Sequence, residues 1–210
     1  DNPAELYGDD PNMGGQVTDK VGVARMGDIL RSTDDSVTLE IDVSAGAPIE
    51  RIEIRNRTTV LETWRPYTQE HLGRRIRMIW EGSEYRGRGR QSVWDGSATL
   101  TGNRIVSFTP INLWNIDKPL QRKADNQLGW QTLTTGGFGG AELILADAHA
   151  GTLAIDTKLV KVELAVSGIG LEDQVLATGG GIKRQMRVFR LPDVNDANSD
   201  SAAPYALLNL

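Results

Sequence analysis

The sequence contains no cysteine. That absence removes disulfides, thiolate nucleophiles and Cys-ligated zinc or iron–sulfur centres together. It leaves the compartment open, since a chain without thiols suits either redox environment. Histidine is almost missing too: His71 and His149 are the only two, and neither stands in an HxH, HExxH or Hx3H spacing. A three-histidine metal site is therefore excluded. Both residues lie beside turn-forming segments and read as surface side chains, so no metal and no cofactor is expected. No apolar run approaches the roughly 20 residues of a bilayer-spanning helix, and the acidic opening DNPAELYGDD is unlike a signal peptide; no membrane partner is expected. The lack of an initial Met fits a fragment of a longer parent. A basic surplus is also missing, with 28 acidic against 23 basic residues and a net charge of −5. Proteins that neutralise many phosphates carry the opposite balance, so no nucleic-acid partner is expected.

What is present is a period of two. With 210 residues, a chain of this size removes roughly 70% of its unfolded surface from water and can hold a core without staples. Residues 36–43 (SVTLEIDV) alternate apolar and polar positions, and residues 48–54, 58–64 and 75–80 repeat the pattern, residues 48–54 (Ile49, Ile52 and Ile54) with a one-residue shift that suggests a bulge. In RIRMIW, Ile76, Met78 and Trp80 share one face and Arg75, Arg77 and Ile79 the other. Residues 97–100 and 104–108 around Thr101-Gly102-Asn103 read as a β-hairpin. Further strands are expected at 128–134, 141–145, 151–157, 159–166 and 183–191. Ten or so short strands without a helical period predict an all-β fold, an antiparallel β-sandwich of jelly-roll or Ig-like kind. Helix is confined to one capped turn over residues 68–73 (TQEHLG). Residues 1–25 read as an irregular arm or a junction with an upstream domain, 26–192 as the sandwich domain, and 193–210 as a mobile tail whose final YALLNL docks on the body or on a partner.

Known catalytic spacings are missing. Gly136, Gly137, Gly139 and Gly140, and the triplet 179–181, lack GxxxxGK[ST] spacing and a strand–turn–helix setting, so tight β-turns explain them. There is no GxSxG, and no pair of carboxylates is marked out for glycoside chemistry. Trp94-Asp95 is a lone WD dipeptide without the second copy a propeller requires. Catalytic residues are accordingly read as none.

The distinctive stretch is 74–96, RRIRMIWEGSEYRGRGRQSVWDG. Arg86, Arg88 and Arg90 alternate with glycines and would project to one side of an extended segment. Three planar forks of donors suit a carboxylate, sulfate or phosphate, with Tyr85 and Trp94 flanking them. Ion pairs with Glu81, Glu84, Asp95 or a neighbouring domain explain the same residues as packing. Two glycine–arginine steps are too few for an RNA-binding segment. Trp94 and Trp114, beside Asp95, Asn112 and Asn115 in expected loops, are the tryptophans best placed for outside contact, although in a sandwich such residues are often core. Trp80, in its alternating run, reads as core.

The run RIEIRN, ETWRPY, LGRRIRMIWEGSEYRGRGRQSVWDG, GNRI, PINLWN, TTGGFGG, GTLAIDT and RVFRLPD resembles the C-terminal β region of large bacterial proteins of the DUF3604 and PHP-like (polymerase and histidinol phosphatase) group. The resemblance covers residues 26–192 and is most specific over 85–96. It implies an upstream metal-dependent hydrolase-like barrel on the same chain as the partner. The barrel's metal-ligand motifs are not found here, so no catalytic residue carries over. The chain is thus expected to be a non-catalytic accessory domain that packs on the catalytic domain and contacts an anionic or saccharide substrate. The alternative is a free-standing carbohydrate-binding or adhesion-type module.

Overall fold

The computed structural model describes residues 3–34, 36–46, 49–57, 59–85 and 90–193. Among the described residues strands dominate, all of them paired antiparallel, and helix is confined to three single 3₁₀ turns, Pro11–Met13, Gln69–His71 and Val166–Gly168. The all-β, antiparallel, sandwich-like architecture expected from the alternation is what the chain adopts. It divides at the Ser44–Ala45 peptide into two units.

The first unit contains strands where an irregular arm was expected. β1 (Ala4–Tyr7) lies between β2 (Val17–Val21) and β3 (Ile29–Arg31). The β1–β2 connection is tightened by Asp10, whose carboxylate accepts from Asn12 N–H at 2.8 Å, and by Gly14 at φ 89°. Residues 36–43, expected as a strand, join no ladder among the described residues. Alternation sorts side chains onto two faces, but a strand also needs a neighbour's N–H and C=O groups, and this segment has none.

The second unit carries the core. β4 (Ile52–Asn56) and β5 (Thr59–Trp64) form a two-stranded ribbon. The front sheet runs in the order β16 (Gln174–Ala177), β17 (Gly181–Leu191), β6 (Arg75–Glu84), β13 (Phe138–Leu145), β9 (Ile105–Ile111). The back sheet runs β10 (Gln121–Ala124), β11 (Gln127–Trp130), β8 (Gly96–Thr101), β14 (Thr152–Thr157), β15 (Lys161–Ala165). β7 (Ser92–Val93) and β12 (Leu133–Thr134) pair at one end.

Alternate side chains of the two sheets meet between them. Ile76, Met78 and Trp80 of β6, Leu143 and Leu145 of β13 and Met186 and Val188 of β17 pack against Ala98 and Leu100 of β8, Leu128 and Trp130 of β11 and Leu153 and Ile155 of β14. The inward face predicted for β6 is the one observed. β6 runs on to Glu84 because Gly82, at φ 105°, lets the strand pass beside a bulge in β17; a Cβ there would fall 2.4 Å from the Lys183 carbonyl oxygen.

Two local expectations change. Residues 97–108 are not a hairpin: β8 lies in the back sheet and β9 in the front sheet, so the turn carries the chain across the sandwich. Both flanks of β8 are already taken by β11 and β14. Asn103 pins the crossing by donating from Nδ2 to the Asp147 and Ala150 carbonyls, each at 2.8 Å. The capped turn at 68–73 forms as one 3₁₀ turn, in which His71 Nδ1 accepts from Thr68 N–H at 3.1 Å and Leu72 is already extended.

A tryptophan relay ties the sheets together at one end. Trp80 and Trp130 stack with centroids 5.0 Å apart and planes 10° from parallel. Trp130 Nε1 donates to the Trp94 carbonyl at 2.6 Å, Trp94 Nε1 to Thr134 Oγ1 at 2.9 Å, and Thr134 Oγ1 to the Gly82 carbonyl at 2.6 Å. Replacing the buried hydroxyl by Thr134→Val orphans the Trp94 indole N–H at nearly constant volume, while the Gly82 carbonyl keeps the Gly136 N–H at 3.0 Å. Urea unfolding should show a loss of about 1–3 kcal/mol, against about 0.5 kcal/mol or less for Thr152→Val on the outer face of the back sheet. Equal effects of the two substitutions would show that the relay is not a stabilising element.

Candidate functional site

The register of the front sheet brings several connections to one end of the sandwich. Phe138 of β13 stands opposite Glu81 of β6, Ile182 of β17 opposite Ser83, and Gly140 opposite Ile111 at the end of β9. The β6–β7, β9–β10, β12–β13 and β16–β17 connections therefore share that end, here called the loop end.

Most of the residues singled out from sequence lie there, in different roles. Tyr85 is exposed just beyond β6. Arg86 and Arg88 lie outside the described residues. Arg90 is exposed with φ 45°, and its carbonyl accepts from Glu84 N–H at 3.1 Å, closing the loop back onto β6. Trp94, placed among the contact candidates, is instead wholly buried in the relay: β7 and β8 turn its ring inward, where it can touch no external ligand. Asp95 accepts from Thr132 N–H at 3.0 Å and lies 3.5 Å from Lys158 Nζ, so it fastens loops. Asn112 takes a left-handed φ of 52° and donates to the Phe138 carbonyl at 3.3 Å, while Asn115 accepts from Asp117 N–H at 2.9 Å. These two hold the β9–β10 loop so that Trp114, 87% exposed, and Ile116, 89% exposed, stand out in solvent. Phe138, Leu133 and Ile182 are each about half exposed at the same end.

A second feature escaped sequence reading. The outer face of the front sheet, under residues 50–53 and 65–67, carries interlocked arginines and carboxylates. Glu142 of β13 accepts from Arg77 Nη2 at 2.6 Å and from Arg75 Nη2 at 3.1 Å. Asp173 accepts from Arg51 Nη1 at 2.7 Å, Arg187 Nη1 at 2.8 Å and Arg65 Nη2 at 3.0 Å. Arg77 also binds Glu50, and Arg187 Nε binds Glu81 at 3.0 Å. The Arg51 guanidinium lies 4.6 Å above the Phe189 ring, which packs with Ile79, Leu191, Tyr67 and Ile111 in a second small core. The alternation of β6 predicts the outward Arg75 and Arg77; their shared partner Glu142 lies 67 and 65 residues on and Glu50 lies 27 residues back from Arg77, so no local signal marks them.

The electrostatics of this face follow from its partial burial. Burial alone would raise the pKa of Glu142, but hydrogen bonds and charges from Arg75 and Arg77 outweigh it and hold the carboxyl below its usual value. Asp173 is lowered in the same way, burial being overcome by Arg51 and Arg187. Burial raises the Tyr67 hydroxyl, opposed by the charges of Arg65 and Arg51. Arg190 is also buried, donating to the Ile169, Gly73 and Val166 carbonyls, and loss of hydration lowers its pKa against the pull of Asp193.

A third feature is a groove of about 390 Å³ on the outer face of the back sheet, between β8, β10 and β11 and walled by residues 117–119. Among the described residues no group of three or more His, Asp or Glu side chains is placed to hold a metal ion. No protein-family model, curated protein or solved structure matches the chain.

The ionic face should make stability depend on pH. The folded pKa values of Asp173 and Glu142 lie below the unfolded ones. The stability they contribute is therefore complete above the unfolded values, about 4, and lost as the pH falls through the folded ones. Thermal stability should fall below about pH 4 in the native chain, and less steeply in a variant carrying Asp173→Asn and Glu142→Gln. Parallel pH profiles would assign the acid sensitivity elsewhere.

Proposed function

We propose that the chain is a non-catalytic accessory domain of a larger PHP-like metal-dependent hydrolase, packing on the catalytic domain through its loop end. The observation that carries this reading is the set of large apolar side chains held out at that end. Trp114 and Ile116 are almost fully exposed on a loop that Asn112 and Asn115 brace with hydrogen bonds. Tyr85, Leu133, Phe138 and Ile182 are exposed with them. Apolar groups gathered in one polar-rimmed region mark protein interfaces more often than idle surface. The first unit adds to the same picture, since Val23, Met26 and Val37 are also largely exposed and a sheet that small buries little by itself. The resemblance of residues 26–192 to the β region of such hydrolases supplies the identity of the neighbour, and Arg90, exposed at the loop end, would contact its anionic or saccharide substrate.

A free-standing carbohydrate-binding module is the second reading, favoured by the polar groove on the back sheet. The reading frame upstream of Asp1 separates the two: a barrel with metal-ligand motifs supports the accessory domain, and a signal peptide directly before Asp1 overturns it. In the longer protein, Trp114→Ser with Ile116→Ser should loosen the domains, seen as an increased radius of gyration and faster proteolysis between them. The isolated chain bearing these changes should keep its stability within about 0.5 kcal/mol. Hydrolysis of phosphoesters or glycosides by the isolated chain with added divalent metal would contradict the proposal.

A further inference from the structure

We infer that the groove on the outer face of the back sheet is a binding site for an acidic oligosaccharide, one bearing uronate carboxylates. This deepens the reading of the chain as a substrate-contacting accessory domain and rests on it for the saccharide class, but it concerns a surface other than the packing end.

The groove exists because the sheet lacks bulk where two strands meet. Gly129 of β11 stands opposite Ser97 of β8, and Trp130 opposite Gly96. Trp130 turns inward to stack on Trp80, so the outer surface over these positions is floored by backbone and one small hydroxyl. One wall is built by a bulge. The ladder slips between Arg122 and Ala124, and the extra residue, Lys123, lays its stem over the bare glycine; a Cβ on Gly129 would sit 3.1 Å from Lys123 Cε. The other wall is the loop segment 117–119, positioned by the Asn115–Asp117 hydrogen bond. At about 390 Å³ the space falls within the range of roughly 300–1,000 Å³ usual for small-ligand sites.

The polar groups facing this space suit a ligand dense in hydroxyls. Gln121, Gln127 and Gln131 present amides, each able to donate and accept, and Ser97 adds a hydroxyl. Gln127 Nε2 is engaged with Thr99 Oγ1 at 3.0 Å, which fixes its amide and leaves its carbonyl oxygen as an acceptor. Asp117 supplies one carboxylate acceptor. Lys118 and Lys123 give the groove a cationic surplus of one over Asp117 in a chain that is acidic overall. Lys123 Nζ donates to Gln121 Oε1 at 2.5 Å, using one of its three N–H groups. Amides and a hydroxyl over a flat floor read sugar hydroxyls, and the two ammonium groups select a carboxylate among them.

Isothermal titration and amide chemical-shift mapping of the 210-residue chain with oligogalacturonate, beside the uncharged galacto-oligosaccharide, decide the question. The expected result is binding of the uronate oligomer with Kd below about 1 mM, weakening with added salt, and shifts centred on Ser97, Gly129 and Gln131. Lys118→Ala and Lys123→Ala should each weaken it about tenfold and Gln127→Ala by a smaller factor, with far-UV circular dichroism unchanged. Arg104→Ala, in the β8–β9 crossing at the other end of the sandwich, should leave it unaltered. Absence of binding, equal binding of the uncharged oligomer, or binding that survives both lysine substitutions would each overturn the inference. None of these results depends on whether the loop end packs on a catalytic neighbour.

Discussion

The stack of Trp80 on Trp130 is the contact on which the molecule is organised. One ring comes from the centre of the front sheet and the other from the back sheet, so their near-parallel packing sets the separation and alignment of the two layers at the loop end. A buried indole N–H usually takes an acceptor; Trp80 Nε1 has none among the described residues, and at Trp130 and Trp94 the requirement carries the constraint outward. Trp130 binds the Trp94 carbonyl, Trp94 binds Thr134, and Thr134 binds the Gly82 carbonyl at the point where β6 bends. The bases of several loops are thereby fixed by core hydrogen bonds, while their tips stay open to solvent.

The ionic face solves a different problem. Ile79 and Phe189 point away from the main core, and residues 50–53 and 65–67 lie over them. The covering segment contributes few apolar contacts, so its attachment depends on carboxylates shared among several guanidiniums. Asp173 joins Arg51, Arg65 and Arg187, and Glu142 joins Arg75 and Arg77. Planar, multiply donating guanidiniums suit such shared geometry better than ammonium groups. Pairs of this kind are weak sources of net stability because desolvation opposes them, but each fixes direction, and together they hold one placement of the segment.

The surface features thus divide by chemistry. Apolar side chains project at the loop end, where a protein neighbour would seat. Amides, lysines and a carboxylate line the back-sheet groove, where a hydroxyl-rich ligand would lie. The arginine face of the front sheet is engaged in its own ion pairs and serves the fold.

The sequence by itself determined the fold class and the inward face of the central strand. Period-two alternation is a local property, and burying one face of each strand leaves few architectures besides two packed layers. It also located the capped turn at Thr68, one of three 3₁₀ turns among the described residues. Other features were decided only by the tertiary structure, because they depend on which strand lies beside which. Residues 36–43 alternate well and still found no partner strand among the described residues. The expected hairpin at residues 97–108 became a crossing because both flanks of β8 were taken. Trp94 was drawn inside by a hydrogen bond to a residue 40 positions away. The groove came from glycines and a serine meeting across strands, and no single strand's pattern records such a meeting.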